Sequence, residues 1–216
     1  MLEKFKELSR LVNEIMPKDM MNNIDDLEMA LENMDMDSIQ DALSQLSEDM
    51  EKIEKDLDRY LEIFKRFQAE QKLDEIQNRL QNLIEQQGAL DNEIDGADEN
   101  PSSMDRLAQE EQRNLDEFEN IQSLVEDASE MIEQFNKNTA NELSELSESE
   151  LSENIIQNLS DIVQSLSNRN SQDAVAKSKE SLSNMNMMMQ QMMNIKRFNQ
   201  ESVNEMMDKF QNLLQD

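Results

Sequence analysis

The sequence predicts an all-α fold, an elongated antiparallel helical bundle with coiled-coil-like heptad seams. The first observation is composition: the 216 residues include only two Gly, two Pro and one Tyr, and few β-branched or aromatic residues remain to build strands. The second is spacing, because apolar residues recur at alternating intervals of three and four along much of the chain. A hydrophobic fraction of 37% suits long helices that each bury one stripe.

The first predicted elements are two short helices. The first, 2–16, ends before Pro17, whose ring nitrogen has no hydrogen to donate. The second, 20–34, leads into a run of Met and Asp residues in which Asp35 or Asp37 is expected to cap the next helix.

A very long helix is predicted at 37–94. Its two halves carry separate apolar seams, because the heptad phase slips between Phe67 and Ala69. The first seam comprises Met50, Ile53, Leu57, Tyr60, Phe64 and Phe67, and the second comprises Ala69, Leu73, Ile76, Leu80, Leu83, Gln87, Leu90 and Ile94. Gly96 and Pro101 then mark the plainest loop in the chain.

The next helix is predicted at 104–136, and the short loop before it favours an antiparallel hairpin. Its seam comprises Phe118, Ile121, Val125, Ala128, Ile132 and Phe135. The Ser-, Glu- and Asn-rich stretch 136–150 is predicted to be the weakest helical region and the best candidate for a hinge. A helix at 151–166 and a final helix at 171–216, capped by Ser171, complete the chain.

The final helix has the most regular predicted seam: Val175, Ser178, Leu182, Met185, Met189, Met192, Lys196, Asn199, Val203, Met206, Phe210 and Leu213. From these elements we expect three segments. The N-terminal short helices occupy 1–36, a long antiparallel hairpin occupies 37–138, and a C-terminal hairpin at 139–216 packs on the central hairpin as one extended domain.

Two stretches carry a resemblance to known proteins: ALENMDMDSIQDAL, at 30–43, and LQNLIEQQGALDNEI, at 80–94. They resemble the long helical region of large uncharacterised membrane-anchored bacterial proteins. The resemblance implies a helical, coiled-coil segment and supplies no catalytic residues. This chain has no apolar run of membrane-spanning length, so we expect no direct membrane insertion. The expected location is the cytoplasm by default, or outside it if the chain is part of an anchored protein.

The charge balance narrows the classes of partner. There are 49 acidic and 20 basic residues, a net charge of −29. Such a field repels phosphate backbones and anionic membranes, so nucleic-acid binding is not expected. We expect a protein partner or self-association through apolar seams.

Catalysis, cofactors and metal sites are not expected. The chain has no His and no Cys, which removes the commonest general acid–base group and the thiolate ligands. No glycine-rich phosphate loop and no Ser nucleophile motif occurs in the sequence.

The stretch NMNMMMQQMMNIKRFN, at 184–199, is the clearest candidate functional feature. The candidate partner-binding face comprises Met185, Met188, Met189, Met192 and Met193. One interpretation is the core of a bundle, which methionine fills well; the other is a pliable groove for hydrophobic helices. Thioethers are also soft ligands for copper(I), but nothing beside them reinforces a metal site.

Lys196 and Asn199 interrupt the apolar seam of the final helix as a polar layer. Such a layer fixes helix alignment, and we expect Lys196 to pair with a carboxylate of a neighbouring helix. The sequence therefore favours a non-catalytic structural or scaffold protein that acts through helical protein–protein interactions. The alternative is a chaperone-like module that binds hydrophobic helices or unfolded segments at the methionines.

Overall fold

The computed structural model describes residues 36–97 and 101–213, which form five helices joined by short connections, with no strand among them. The all-α prediction is confirmed. The helices are α1 (Met36–Asp95), α2 (Pro101–Glu133), α3 (Lys137–Ser147), α4 (Glu150–Ser167) and α5 (Ser171–Leu213). The bounds of α1, α2, α4 and α5 lie within three residues of those predicted, whereas α3 was not predicted as a separate helix. The two predicted N-terminal helices lie outside the described residues.

Contacts between residues divide the chain into two units, Met1–Phe64 and Lys65–Asp216. In the first unit the described part is the beginning of α1. Its apolar side chains are unevenly exposed: Ile63 is buried, whereas Leu43, Met50, Leu61 and Phe64 are exposed. The predicted segments 1–36, 37–138 and 139–216, their packing as one extended domain and coiled-coil packing in the strict sense all stay predictions.

The second unit is an antiparallel helical bundle. Residues of α1 pair with residues of α2 in descending order, as Lys72 with Asp127 (2.9 Å) and Arg79 with Glu117 (2.7 Å) show. The same descending order relates α1 to α5, which α1 meets on another side. There Asp74 pairs with Lys196 at 2.5 Å, and Gln87 donates to Ser178 at 3.2 Å. These two helix pairs are therefore antiparallel.

Helices α3 and α4 together form the remaining position of the bundle, and both pack on α2 and α5. Leu143 and Leu146 of α3 are buried, and Ser129 of α2 donates to the carbonyl of Ala140 at 2.8 Å. Most of the stretch 136–150, expected to be the weakest helical region, is therefore a packed helix, and its role as a hinge stays a prediction. The stretch is a packed helix because its few apolar residues recur at helical spacing.

A two-residue break separates α3 from α4. Ser149 caps α4 by accepting from the backbone N–H of Ser152 at 3.2 Å, and its hydroxyl donates to the carbonyl of Leu146 at 2.7 Å. One serine thus ends one helix and begins the next, since it serves an orphan carbonyl on one side and an orphan N–H on the other.

The turn between α4 and α5 is also built from side-chain caps. Asn170, rather than the predicted Ser171, accepts from the backbone N–H of Asp173 at 3.2 Å. Arg169 has φ of 59°, the left-handed region, and the N–H of Asn170 returns to the carbonyl of Ser165 at 2.8 Å. This return bond is the usual way to close a helix C-terminus.

The core of the second unit is one continuous apolar cluster drawn from all five helices. Every residue of the second predicted seam of α1, from Ala69 to Ile94, is buried. In α2 the predicted seam is buried from Phe118 to Ile132, and Phe135 is half-buried. Each fully buried Leu, Ile or Met contributes about 1.5–3 kcal/mol relative to its exposed state, so this cluster dominates the stability.

The buried face of α5 differs from the predicted seam at alternate positions. Val175, Leu182 and Lys196 are only half-buried. Their places in the core are taken by the residues that precede them: Ala174, Ser181 and Ile195. The reason is visible at Lys196, because burying Ile195 instead leaves the ammonium at the edge of the helix interface, where it reaches Asp74.

Candidate functional site

Four of the five methionines proposed as a binding face lie in the core. Met185, Met188, Met189 and Met192 are between 0% and 4% exposed, and they belong to the continuous apolar cluster. Met193 is 46% exposed and stands apart from them. In the bundle as described, the methionine face is therefore out of reach of a solute, and α5 must separate from its neighbours before it can bind one.

Lys196 and Asn199 occupy different environments. The Lys196 ammonium contacts Asp74 at 2.5 Å and donates to the amide oxygen of Gln77 at 2.7 Å, which joins α5 to α1. Asn199 is buried, and neither atom of its side-chain amide has a partner among the described residues. Burying an unpaired amide costs about 1–3 kcal/mol, so Asn199 weakens the core around it.

A second group of polar side chains lies fully inside the bundle, and we call it the polar core. Gln87 of α1 is at its centre: its amide nitrogen donates to Glu111 of α2 at 3.1 Å and to Ser178 of α5 at 3.2 Å. Asn114 of α2 donates to the amide oxygen of Gln87 at 2.8 Å. Three helices are thus joined through one glutamine whose acceptor and donor sides are both used.

Glu111 is the one acidic member of the polar core, and its side chain is 0% exposed. One carboxyl oxygen accepts from Gln87, and the other has no partner among the described residues. Burial raises the pKa of Glu111 to about 8, against the hydrogen bond from Gln87, and the charge of Asp91 adds to the rise. At neutral pH the carboxyl is therefore mostly protonated.

The sequence pointed to Gln87 as a polar seam residue but not to Glu111 or Asn114. A signal for both exists, because continuing the α2 seam backwards from Phe118 at intervals of four and three reaches Asn114 and then Glu111. It is easily overlooked because Glu111 stands in the run Glu-Glu-Gln, which has the composition of an exposed helix face.

A surface cavity of about 270 Å³ lies between α1 and α2, next to the polar core, with which it shares Asn114. The buried side chain of Leu90 forms part of the cavity wall. Two carboxylates of the lining, Glu93 and Glu110, form ion pairs with Arg106 at 2.7 Å and 2.8 Å. The full lining is Gln86, Ala89, Leu90, Glu93, Glu110, Arg113 and Asn114. The lining suggests no reaction, because its acidic groups are engaged in ion pairs.

No group of three or more acidic residues among those described is arranged to hold a metal ion. Within the same residues, none of the helices combines the length and the apolar character needed to cross a membrane.

The exposed apolar side chains at the start of α1 form one line, which we call the α1 stripe: Leu43, Met50, Leu61 and Phe64. Successive members are separated by 7, 11 and 3 residues. At 3.6 residues per turn these separations return to the same side of a helix within about 60°. The stripe runs for roughly 32 Å.

Burial within α1 makes the stripe unusual. Leu43, Met50 and Leu61 are 51%, 60% and 53% exposed, whereas Ile63 is only 6% exposed. Single exposed apolar residues are common on proteins, but a line of them at heptad spacing is typical of a helix that packs against a partner. Met50 and Phe64 belong to the first predicted seam of the long helix, whereas Leu43 and Leu61 lie outside that seam.

The geometry thus offers a buried polar core, a closed methionine face and an exposed apolar stripe. Comparison of the chain with protein-family models, with curated proteins and with solved structures finds no match.

Proposed function

We propose that this chain is a non-catalytic scaffold that acts through helical protein–protein interactions, with the α1 stripe as its interaction surface. The observation that carries the proposal is the line of four exposed apolar side chains at heptad spacing on one helix. Leaving them in water forgoes about 25 cal/mol for each Å² of apolar surface, which a partner helix would recover.

The second unit supports the proposal because its own core is already filled. Its helices bury one continuous apolar cluster, and cross-helix ion pairs such as Arg79–Glu117 and Lys72–Asp127 hold them in alignment. A packed bundle is suited to present a surface rather than to reshape around a ligand.

The alternative, a methionine-rich module for hydrophobic helices, needs the bundle to open. Dilute peroxide distinguishes the two functions, because it oxidises exposed thioethers first. For a scaffold we expect Met50, Met187 and Met193 to oxidise quickly. Met185, Met188, Met189 and Met192 should stay protected until the protein unfolds. If the protected group oxidises together with Met187 while circular dichroism still reports a folded protein, the alternative takes precedence.

The scaffold proposal is tested directly by photo-crosslinking in cells that express the protein. A photoreactive amino acid in place of Leu43 should give discrete adducts, since this position lies on the stripe. The matched control is the same amino acid in place of Gln45, which is exposed two residues further along, on another side of α1. Adducts of equal yield from both positions, or from neither, would contradict the proposal.

A further inference from the structure

The charge around the α1 stripe restricts what can cover it. The segment 36–64 contains nine acidic and three basic residues, a net charge of −6. Glu51 and Asp58 are exposed and seven residues apart, so they lie on one side of the helix, directly beside the stripe. In paired helices the residues beside an apolar seam face charges of the partner and select it by sign.

A second copy of this chain fits the stripe poorly. Pairing two copies along it would bring two segments of charge −6 together, within a chain whose total is −29. Charges that face each other across a helix pair are closer than the screening length of about 8 Å at physiological salt, so they repel strongly. An acidic partner of any other kind meets the same repulsion.

We infer that the α1 stripe docks an amphipathic helix of another protein whose apolar face is flanked by Lys or Arg. This inference rests on the proposed function and names the chemical class of its partner. Apolar contact with Leu43, Met50, Leu61 and Phe64 supplies the affinity, and the flanking carboxylates supply the selection against acidic helices.

The test uses the full chain and three synthetic peptides of about four heptads each. The first has Leu at the a and d positions and Lys at e and g. The second replaces those Lys residues by Glu, and the third is a scrambled peptide of the same composition as the first. Binding is measured by fluorescence anisotropy, in low salt and again in about 0.5 M NaCl.

We expect the Lys peptide to bind, the other two to bind at least about tenfold more weakly, and high salt to weaken the complex. Met50→Glu should reduce the affinity at least about tenfold, because it places a charge in the middle of the stripe. Gln45→Glu adds the same charge elsewhere on α1 and should leave the affinity within about twofold of the wild type. Both sites are exposed, so both variants should keep the wild-type circular dichroism.

Three results would overturn the inference. Equal affinity of the Lys peptide for Met50→Glu and Gln45→Glu would show only a general attraction to an acidic surface. A dimer in sedimentation equilibrium that Met50→Glu converts to a monomer would make a second copy the occupant. Crosslinks from position 43 to residues 1–35 of the same chain would make the occupant internal.

The results that contradict the scaffold function differ from those that contradict the inferred class of partner. The scaffold function survives if the stripe binds the acidic peptide or a second copy, because a helical interaction then still depends on Met50. It is contradicted if position 43 gives no crosslink to another protein in cells, or crosslinks in no greater yield than position 45.

Discussion

Glu110 and Glu111 are neighbours in the sequence, yet their side chains meet opposite conditions. Glu110 lies at the surface of α2 and pairs with Arg106 at 2.8 Å. Glu111 is 0% exposed and accepts one hydrogen bond, from Gln87. Position on the helix, rather than residue type, therefore decides that one glutamate is a surface ion and the other a neutral group in the polar core.

Replacing Glu111 by Gln should stabilise the protein in neutral and alkaline solution. The folded chain keeps a proton on Glu111 up to a pKa of about 8, whereas the unfolded chain releases it near 4.5. The stabilisation from this proton is fully present below pH 4.5 and is lost as the pH rises through 8. Above that pH we expect Glu111→Gln to unfold with a free energy higher by on the order of 3 kcal/mol.

The measurement is urea unfolding followed by circular dichroism at about pH 5 and about pH 9. The control, Glu119→Gln, removes the same charge from an exposed site on the same helix. The difference in free energy of unfolding between Glu119→Gln and the wild type should change little between the two pH values. If Glu111→Gln changes the free energy of unfolding at about pH 9 no more than Glu119→Gln does, the Glu111 carboxyl is hydrated in the folded protein.

At the scale of the element, side-chain caps and turns set where the helices of the second unit end. Ser149 closes α3 and opens α4, and Asn170 opens α5. Arg169, between α4 and α5, adopts a left-handed backbone conformation that favours glycine.

Replacing Arg169 by Gly should raise the free energy of unfolding by about 1 kcal/mol. A side chain with a Cβ atom is strained at φ of 59°, and glycine is not. The matched control is Gln164→Gly, at an exposed position inside α4, where glycine should instead lower the free energy by about 1 kcal/mol. Urea titration measures both, and a loss of stability in Arg169→Gly would show that the guanidinium makes an interaction worth more than the strain.

The elements were largely predictable from sequence because they follow local rules. Heptad spacing predicted the buried residues of α1 from Ala69 to Ile94. Gly96 and Pro101 predicted the break after α1, although α2 begins at Pro101 itself, three residues before the predicted start. The segment of α3 was not predicted as a packed helix, since its Ser- and Glu-rich composition hid three apolar residues at helical spacing: Ala140, Leu143 and Leu146.

The candidate sites were less predictable, because they depend on how helices rotate against each other. The burial of Ile195 in place of Lys196 follows from a rotation of α5 that brings the ammonium to Asp74. Spacing alone did not distinguish these adjacent positions. The exposure of the α1 stripe was not predictable either, because heptad spacing is the same whether the partner helix belongs to this chain or to another.

At the scale of the whole molecule, the net charge of −29 opposes folding. The ion pairs between helices, such as Arg79–Glu117 and Lys72–Asp127, offset only part of this repulsion. Added salt weakens both effects, but the repulsion extends over many more charges.

We therefore expect the melting temperature to rise by several degrees between about 10 mM and about 0.5 M NaCl. Circular dichroism at a fixed pH follows the transition, and KCl in place of NaCl serves as the control, because screening depends on ionic strength rather than on the cation. A melting temperature that falls with salt would mean that the helix-to-helix ion pairs dominate.

The polar core has one more consequence, which concerns how the chain avoids folding into the wrong arrangement. A slide of α1 along α2 by one heptad would keep apolar faces together, but it would set Leu80 or Ile94 opposite Glu111. Glu111 would then lose its donor, and Gln87 would sit unpaired among hydrocarbon side chains. Only the native alignment of α1 and α2 gives Gln87 and Glu111 their hydrogen bond, so the polar core selects that alignment during folding.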